Sequence, residues 1–126
     1  MIRTANFNPE IDVKLLCTCG HELCDNRSIN QEHLNRMQVG REIDGSSWKV
    51  TSGGRCQYHP NEIHRKKPAD HQKGMGGDIK CSGSTRGNIV DAGIKAGCNA
   101  IGVAKTFVHL GYRPELPSGH ITMWVY

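Results

Sequence analysis

The chain has 126 residues, of which 37% are hydrophobic and 22% charged, with a formal net charge of +4. This length and composition fit one globular domain and exclude a disordered chain, so we expect a single domain over residues 1–126. No apolar run reaches the roughly 18 residues of a membrane span, and residues 1–16 lack the apolar stretch of a secretory signal. We therefore expect synthesis in a cytoplasm without export and no membrane partner.

Residues 1–27 are predicted to be irregular, and regular structure should begin after them. The spacing of apolar residues predicts two helices, one over 30–40 capped by Asn30 or Ser28, and one over 85–97. Alternating or β-branched segments predict strands over 47–51, 77–81, 100–104, 106–112 and 120–126. The turn-rich residues 113–119 should form a hairpin loop between the last two strands.

Residues 54–77 form a long polar segment rich in Gly, Pro and His. A loop of this length in a small domain is usually functional. Its basic run, 64–67, fits a solvated loop or a weak attraction to polyanions, and no aromatic residues are interleaved with it as nucleic-acid binding would require. The element order predicts an α+β fold with a mainly antiparallel sheet, two or three helices and a long loop. The ligand candidates considered below make this a predicted metal-binding loop.

The chain contains six cysteines, and three of them, Cys17, Cys19 and Cys24, lie close together in the segment CTCGHELC. Without an export signal, thiols or metal ligands are expected more than disulfides. The CxCx4C spacing lacks the CxxC of common zinc knuckles. The sequence therefore leaves three states of these cysteines open: reduced thiols, a structural zinc site completed by His21 or Cys56, or one or two disulfides.

Three residues could form a catalytic metal site. His71 and Asp78 flank a segment with glycines at 74, 76 and 77, which lets the chain turn back so that both side chains approach one point. His109 lies in the middle of an apolar strand and could supply a third ligand if that strand neighbours the one with Asp78. Two histidines and one carboxylate would leave a fourth position open for water, as in catalytic zinc sites.

The segment HQKGMGGD resembles the HxxGxAxD signature of the zinc D-Ala-D-Ala carboxypeptidases and L-alanyl-D-glutamate endopeptidases, a family that includes phage endolysins and has a hedgehog-type fold. Further stretches follow in the family's order. They are the cysteine-containing stretch 7–24, VTSGGRC (50–56), TFVHL (106–110) and MWVY (123–126). Gly54 stands where tyrosine is usual in this family, and Gly76 stands at the alanine of the signature.

The resemblance implies that His71, Asp78 and His109 bind one Zn²⁺ and that Arg55 binds a carboxylate or carbonyl of the substrate. It also implies an acidic general base three positions before the last histidine or two after it, yet these positions are Thr106 and Gly111. The candidate substitutes are Asp70, Asp91, Glu115 and His120. His120 begins the strand after the 113–119 turn, so we expect that it could lie across from His109.

Together with the ligand set, the resemblance implies a zinc metallopeptidase that cleaves peptidoglycan stem peptides, as a carboxypeptidase or an endopeptidase. Small size and a basic charge suit a monomeric phage lysis or tail-associated enzyme that acts at the bacterial cell wall or is carried in a virion. The missing acidic residues favour a second hypothesis, a catalytically weak or inactive zinc-stabilised module that binds the wall or builds the virion.

Overall fold

A computed structural model describes all residues, 1–126. It contains a short 3₁₀ helix (Val13–Leu15) and two α-helices, α1 (Gln31–Asp44) and α2 (Arg86–Lys95). The strands are β1 (Val50–Ser52), β2 (Gly76–Lys80), β3 (Ala100–Val103), β4 (Phe107–Gly111) and β5 (Thr122–Val125). They form one sheet in the order β1-β2-β4-β3-β5, in which only the β3–β5 pair is parallel. The predicted α+β class with a mainly antiparallel sheet is confirmed.

Helix α1 begins at the predicted cap but ends later than predicted. The Asn30 side chain accepts a hydrogen bond of 2.8 Å from the amide of His33, which satisfies a free donor of the first turn. The helix continues past Gly40 and ends at Gly45, whose φ of 75° suits a helix C-terminus. Gly40 serves packing instead, because a Cβ there would lie 2.6 Å from the Trp48 ring.

The predicted hairpin between the last two strands is wrong. Strand β5 pairs in parallel with β3, so the chain leaves β4 and crosses to the far side of β3. The side chain of Asn99 holds this connection: it accepts a hydrogen bond of 2.7 Å from the Arg113 amide and donates one of 3.0 Å to the Arg113 carbonyl. Such side-chain bonds compete with hairpin pairing and leave no pattern in the sequence.

The sheet has one face against the helices and one face that carries polar side chains. In β4, Val108 and Leu110 belong to the hydrophobic core with residues of α1 and α2, and the intervening His109 points to the other face. In β2, Ile79 belongs to the core and Asp78 shares the face of His109. The loop between β1 and β2 lies over this second face and buries His71.

Two glycines of α2 offer a matched test of packing between helix and sheet. A Cβ at Gly93 would lie 2.5 Å from Cδ2 of the fully buried Leu110, whereas a Cβ at Gly87 would meet nothing within 4 Å. Gly87→Ala should stabilise the protein by up to about 1 kcal/mol through helix propensity. Gly93→Ala should instead cost about 1 kcal/mol net, because overpacking outweighs the same gain. Urea unfolding of both variants measures the difference, and stabilisation by both would contradict this tight contact.

Candidate metal centre

The structure brings together the three predicted metal ligands from three separate segments. Asp78 in β2 and His109 in β4 are direct partners in the antiparallel register, and His71 reaches them from the loop. His109 Nδ1 lies 3.0 Å from Asp78 Oδ1 and 3.2 Å from His71 Nε2. His71 Nε2 is 3.2 Å from the same Asp78 oxygen. One atom of each side chain therefore faces a common point.

The hydrogen bonds on the far sides of the two imidazoles fix their tautomers. His71 Nδ1 lies 2.7 Å from the Gly53 carbonyl oxygen, which can only accept, so Nδ1 carries the proton. His109 Nε2 lies 2.8 Å from Asp70 Oδ2 and donates to it for the same reason. In the neutral rings, His71 Nε2 and His109 Nδ1 thus present lone pairs to Asp78 Oδ1, as ligated histidines do.

Three lone pairs this close repel one another unless a cation lies between them. A tetrahedral zinc with bonds of 2.0–2.1 Å spaces its ligands about 3.3 Å apart, close to the distances in this cluster. Without a metal, a proton on His109 can supply the positive charge. Burial lowers the pKa of this histidine, but hydrogen bonds to Asp70 and Asp78 outweigh the effect of burial and raise the pKa. The donor set therefore fits a divalent metal whose binding displaces that proton.

Asp70 holds His109 in position. Its carboxylate accepts from His109 and also pairs with Arg113, whose Nε lies 2.9 Å from Oδ1. Burial raises the pKa of Asp70, but the bonds from His109 and Arg113 prevail and lower it to about 2. Two glycines leave room for this side chain, since a Cβ at Gly111 would lie 2.6 Å from Asp70 Oδ2 and one at Gly76 would lie 2.9 Å from Asp70 Cβ.

Arg55 lies at the site, but its nitrogens are already engaged. Nη2 is 3.4 Å from Asp78 Oδ2, Nη1 is 3.3 Å from Glu62 Oε2, and Nε donates to Ser52 Oγ at 3.0 Å. Arg55 thus holds the oxygen of Asp78 that faces away from the cluster. Glu62, absent from the sequence predictions, is fully buried and also pairs with Arg65 at 3.2 Å. Its neighbourhood in the chain, HPNEIHRKK, has the composition of a solvated loop and gave no signal.

The His71–Asp78–His109 site opens into a cavity of about 430 Å³. One part of its wall is charged, and another is aromatic. The charged residues are Arg55, Glu62, Arg65, Asp70, Asp78 and Arg113, and the aromatic ones are Phe107, Trp124 and Tyr126. The side chains of Arg65 and Arg113 are 42% and 34% exposed, so they are the arginines that a ligand can reach.

The other residues considered for proton transfer lie away from the cavity. His120 is in an exposed turn beside a depression lined by Leu116 and Ile121, because β5 neighbours β3 and not β4. The expectation that it lies across from His109 is therefore wrong. Asp91 is exposed on α2 and pairs with Lys95 at 2.9 Å, and Glu115 is exposed in a turn. Of the predicted substitutes, only Asp70 lines the cavity.

A second group of potential ligands lies in the N-terminal part. The thiols of Cys17, Cys19, Cys24 and Cys56 all lie within 4.8 Å of one another and could hold a metal ion. We call this set the cysteine cluster. No disulfide forms, and His21 stacks on Tyr58 at 4.3 Å between ring centroids. Burial raises the pKa of Cys17 to about 12, whereas the amide of His21 lowers that of Cys19.

No protein-family model, curated protein or solved structure matches the chain. The resemblance to the zinc carboxypeptidases and endopeptidases accordingly stays a prediction from motifs. No helix of the structure combines the length and apolar character needed to cross a membrane. The features of the structure that bear on function are therefore the His71–Asp78–His109 site and its cavity.

Proposed function

We propose that the protein is a zinc-dependent peptidase that hydrolyses peptide bonds of peptidoglycan stem peptides, as a DD-carboxypeptidase or an L-alanyl-D-glutamate endopeptidase. The observation that carries the proposal is the convergence of His71 Nε2, Asp78 Oδ1 and His109 Nδ1 within 3.2 Å at the wall of an open cavity. Two histidines, one carboxylate and an accessible fourth position form a typical catalytic zinc set. Zn²⁺ bound there would supply Lewis-acid activation of water and of the scissile carbonyl.

The residues around the ligands keep them ready for that metal. Asp70 accepts the Nε2 proton of His109, and the Gly53 carbonyl accepts the Nδ1 proton of His71, so in each ring the other nitrogen is the one turned toward the metal position. Arg55 occupies one oxygen of Asp78 and leaves the other for the cluster. This prior arrangement lowers the cost of organising the site when the metal binds.

The cavity wall suits a peptide that carries a carboxylate. The formal charges of its three arginines and three carboxylates cancel, so a bound dication would make the site positive. Arg113 is the best-placed anchor, since it is partly exposed and its guanidinium lies 5.1 Å from the ring centre of Trp124. Asp70 engages its Nε and Nη2, so Nη1 is the nitrogen left to donate to a substrate carboxylate. Stem peptides, which carry free carboxylates, are the substrates that the family resemblance implies.

The alternative is a zinc-stabilised module that binds the cell wall or builds a virion without efficient cleavage. One observation favours it: every carboxylate of the cavity is already bonded. Asp78 faces the ligand nitrogens, Asp70 is held by His109 and Arg113, and Glu62 is held by Arg55 and Arg65. Protonation of any of them would weaken these bonds, so none is the unpaired carboxylate that a general base usually provides.

Mass spectrometry of wall fragments tests the proposal. The zinc-loaded protein, incubated with purified peptidoglycan of several stem-peptide types, should release new fragments whose masses identify the bond cleaved. A chelator and the Asp78→Asn substitution should each abolish them, whereas Asp91→Asn on the exposed face of α2 should not. Absence of fragments from every wall type, with zinc at the His71 site confirmed, would refute peptidase activity. Cosedimentation of that protein with the wall would then support the binding module.

A further inference from the structure

We infer that the cysteine cluster is a second, structural zinc site, in which the thiolates of Cys17, Cys19, Cys24 and Cys56 hold one Zn²⁺ and attach the N-terminal segment to the loop that carries Arg55. This inference is independent of the proposed peptidase function, since it concerns other residues and another kind of site. Four thiolates form a closed set with no position for water, which is typical of structural zinc.

The distances fit a metal better than a disulfide. Cys19 Sγ and Cys56 Sγ are 3.6 Å apart, far beyond the roughly 2.05 Å of an S–S bond. Zinc–sulfur bonds of about 2.3 Å place tetrahedral sulfur ligands about 3.8 Å apart, and the four sulfurs all lie within 4.8 Å of one another. A disulfide would use only two of these four thiols and would not explain why all four converge.

One backbone amide points at the cluster. The amide of Asn26 donates to Cys24 Sγ at 3.4 Å. Hydrogen bonds from backbone amides stabilise a thiolate over a thiol, so this donor is suitably placed for a thiolate ligand at Cys24.

Two unusual backbone conformations bring the three N-terminal thiols together. Gly20 has a φ of 78° and Asn26 a φ of 52°, so the chain reverses on either side of Cys24. The Asn26 side chain fixes the second reversal by donating to the Cys17 carbonyl at 2.9 Å. His21, the alternative fourth ligand, instead stacks on Tyr58, and its Nδ1 accepts from the Leu23 amide at 3.0 Å. Cys56 is therefore the fourth ligand.

A metal at this position would support the candidate catalytic centre indirectly. Cys56 directly follows Arg55, and the Arg55 amide donates to the His71 carbonyl at 3.2 Å. A link between residues 17–24 and Cys56 closes a long loop that contains α1 and β1, and it fastens residues 1–27, whose only helix or strand is the 3₁₀ helix Val13–Leu15. Metal binding contributes to folding when the site exists only in the folded chain.

Metal counting with matched variants tests the inference. The protein purified under reducing conditions with ample Zn²⁺ should contain two zinc ions per chain, one of which Asp78→Asn removes. Cys24→Ser, at a partly exposed ligand, should lose the other ion and lower the thermal unfolding midpoint by about 10 °C or more. Cys81→Ser, at a cysteine outside the cluster, should keep both ions.

A titration of the unmodified chain with Co²⁺ covers the case in which a cysteine variant does not fold. One equivalent should produce thiolate-to-cobalt charge-transfer absorption, and that absorption should persist in Asp78→Asn. Its absence, or full zinc content in Cys24→Ser, would overturn the inference. So would a stable Cys19–Cys56 disulfide in a protein that binds no metal there. Loss of peptidase activity plays no part in these readouts, so this inference and the proposed function can fail separately.

Discussion

Asp78→Asn should remove the metal from the His71 site while leaving the fold intact. The amide has nearly the same shape as the carboxylate but lacks the charge that balances a dication, and its NH₂ group would face the lone pairs of two histidines. Removal of a residue that hydrogen-bonds to a metal ligand typically weakens metal binding by about 10–100-fold. Removal of the charge of the ligand itself should therefore weaken binding by more than about 100-fold. Competition with a chromogenic chelator measures the affinity.

The matched control is Asp91→Asn, which removes the same charge from an exposed i,i+4 pair with Lys95. It should leave zinc affinity unchanged, because the charge lies on the solvent side of α2. If the cysteine cluster also binds zinc, that ion stays in both variants and provides an internal reference for the amount of folded protein. Unchanged affinity of Asp78→Asn would mean that the convergence of three lone pairs is not a metal site.

The two strands that carry Asp78 and His109 were predictable because their patterns are short range. The run 106–112 was predicted as a strand with His109 in its middle, and the glycines before Asp78 indicated that the chain turns back towards His71. The pairing of the two strands could only be assumed, and the register now pairs Asp78 directly with His109. Local patterns therefore predicted the strands, whereas the choice of ligands also needed the resemblance of the motifs to a zinc-binding family.

The partners of the ligands could not be predicted in the same way. Asp70 precedes His71 directly, yet it contacts the other histidine, 39 residues away along the chain. Glu62 lies in a run with the composition of a solvated loop and is buried because Arg55 and Arg65 neutralise it. Strand β5 has a clear strand pattern, but it pairs with β3 and not with β4, and the connection that leads to it is bonded to the Asn99 side chain at Arg113. Each of these outcomes follows from a tertiary contact that composition and spacing do not encode.

Three glycines at positions where the resemblance suggests larger residues now have a physical reason. A Cβ at Gly54 would lie 2.1 Å from the Arg27 carbonyl oxygen, so a tyrosine there would displace the backbone next to the cysteine cluster. At Gly76 and Gly111 the obstacles are the His109 ring and Asp70. An aspartate at 111 and the present position of Asp70 exclude each other, so the carboxylate beside His109 comes from the loop in this chain.

Because Asp70 is the carboxylate beside His109, its removal should affect the metal site directly. Asp70→Ala should weaken zinc binding at the His71 site by about 10–100-fold, because His109 would lose the acceptor that fixes its tautomer and ring orientation. Asp70→Asn, which keeps an acceptor for His109 Nε2, should recover part of that loss. A graded order of affinity identifies Asp70 as a positioning residue, since a purely structural defect would not be rescued by restoring one hydrogen bond.

Gly111→Ala provides an independent route to the same effect. It leaves the charge of Asp70 in place but puts a methyl group 2.6 Å from its Oδ2 and 2.8 Å from His109 Nε2, so the pair must separate. Zinc affinity should fall as in Asp70→Ala, and the zinc of the cysteine cluster should not change. Equal affinity in Asp70→Ala and the unmodified chain would show that His109 needs no partner. The hydrogen bonds that lower the pKa of Asp70 would then stabilise the fold without preparing a metal ligand.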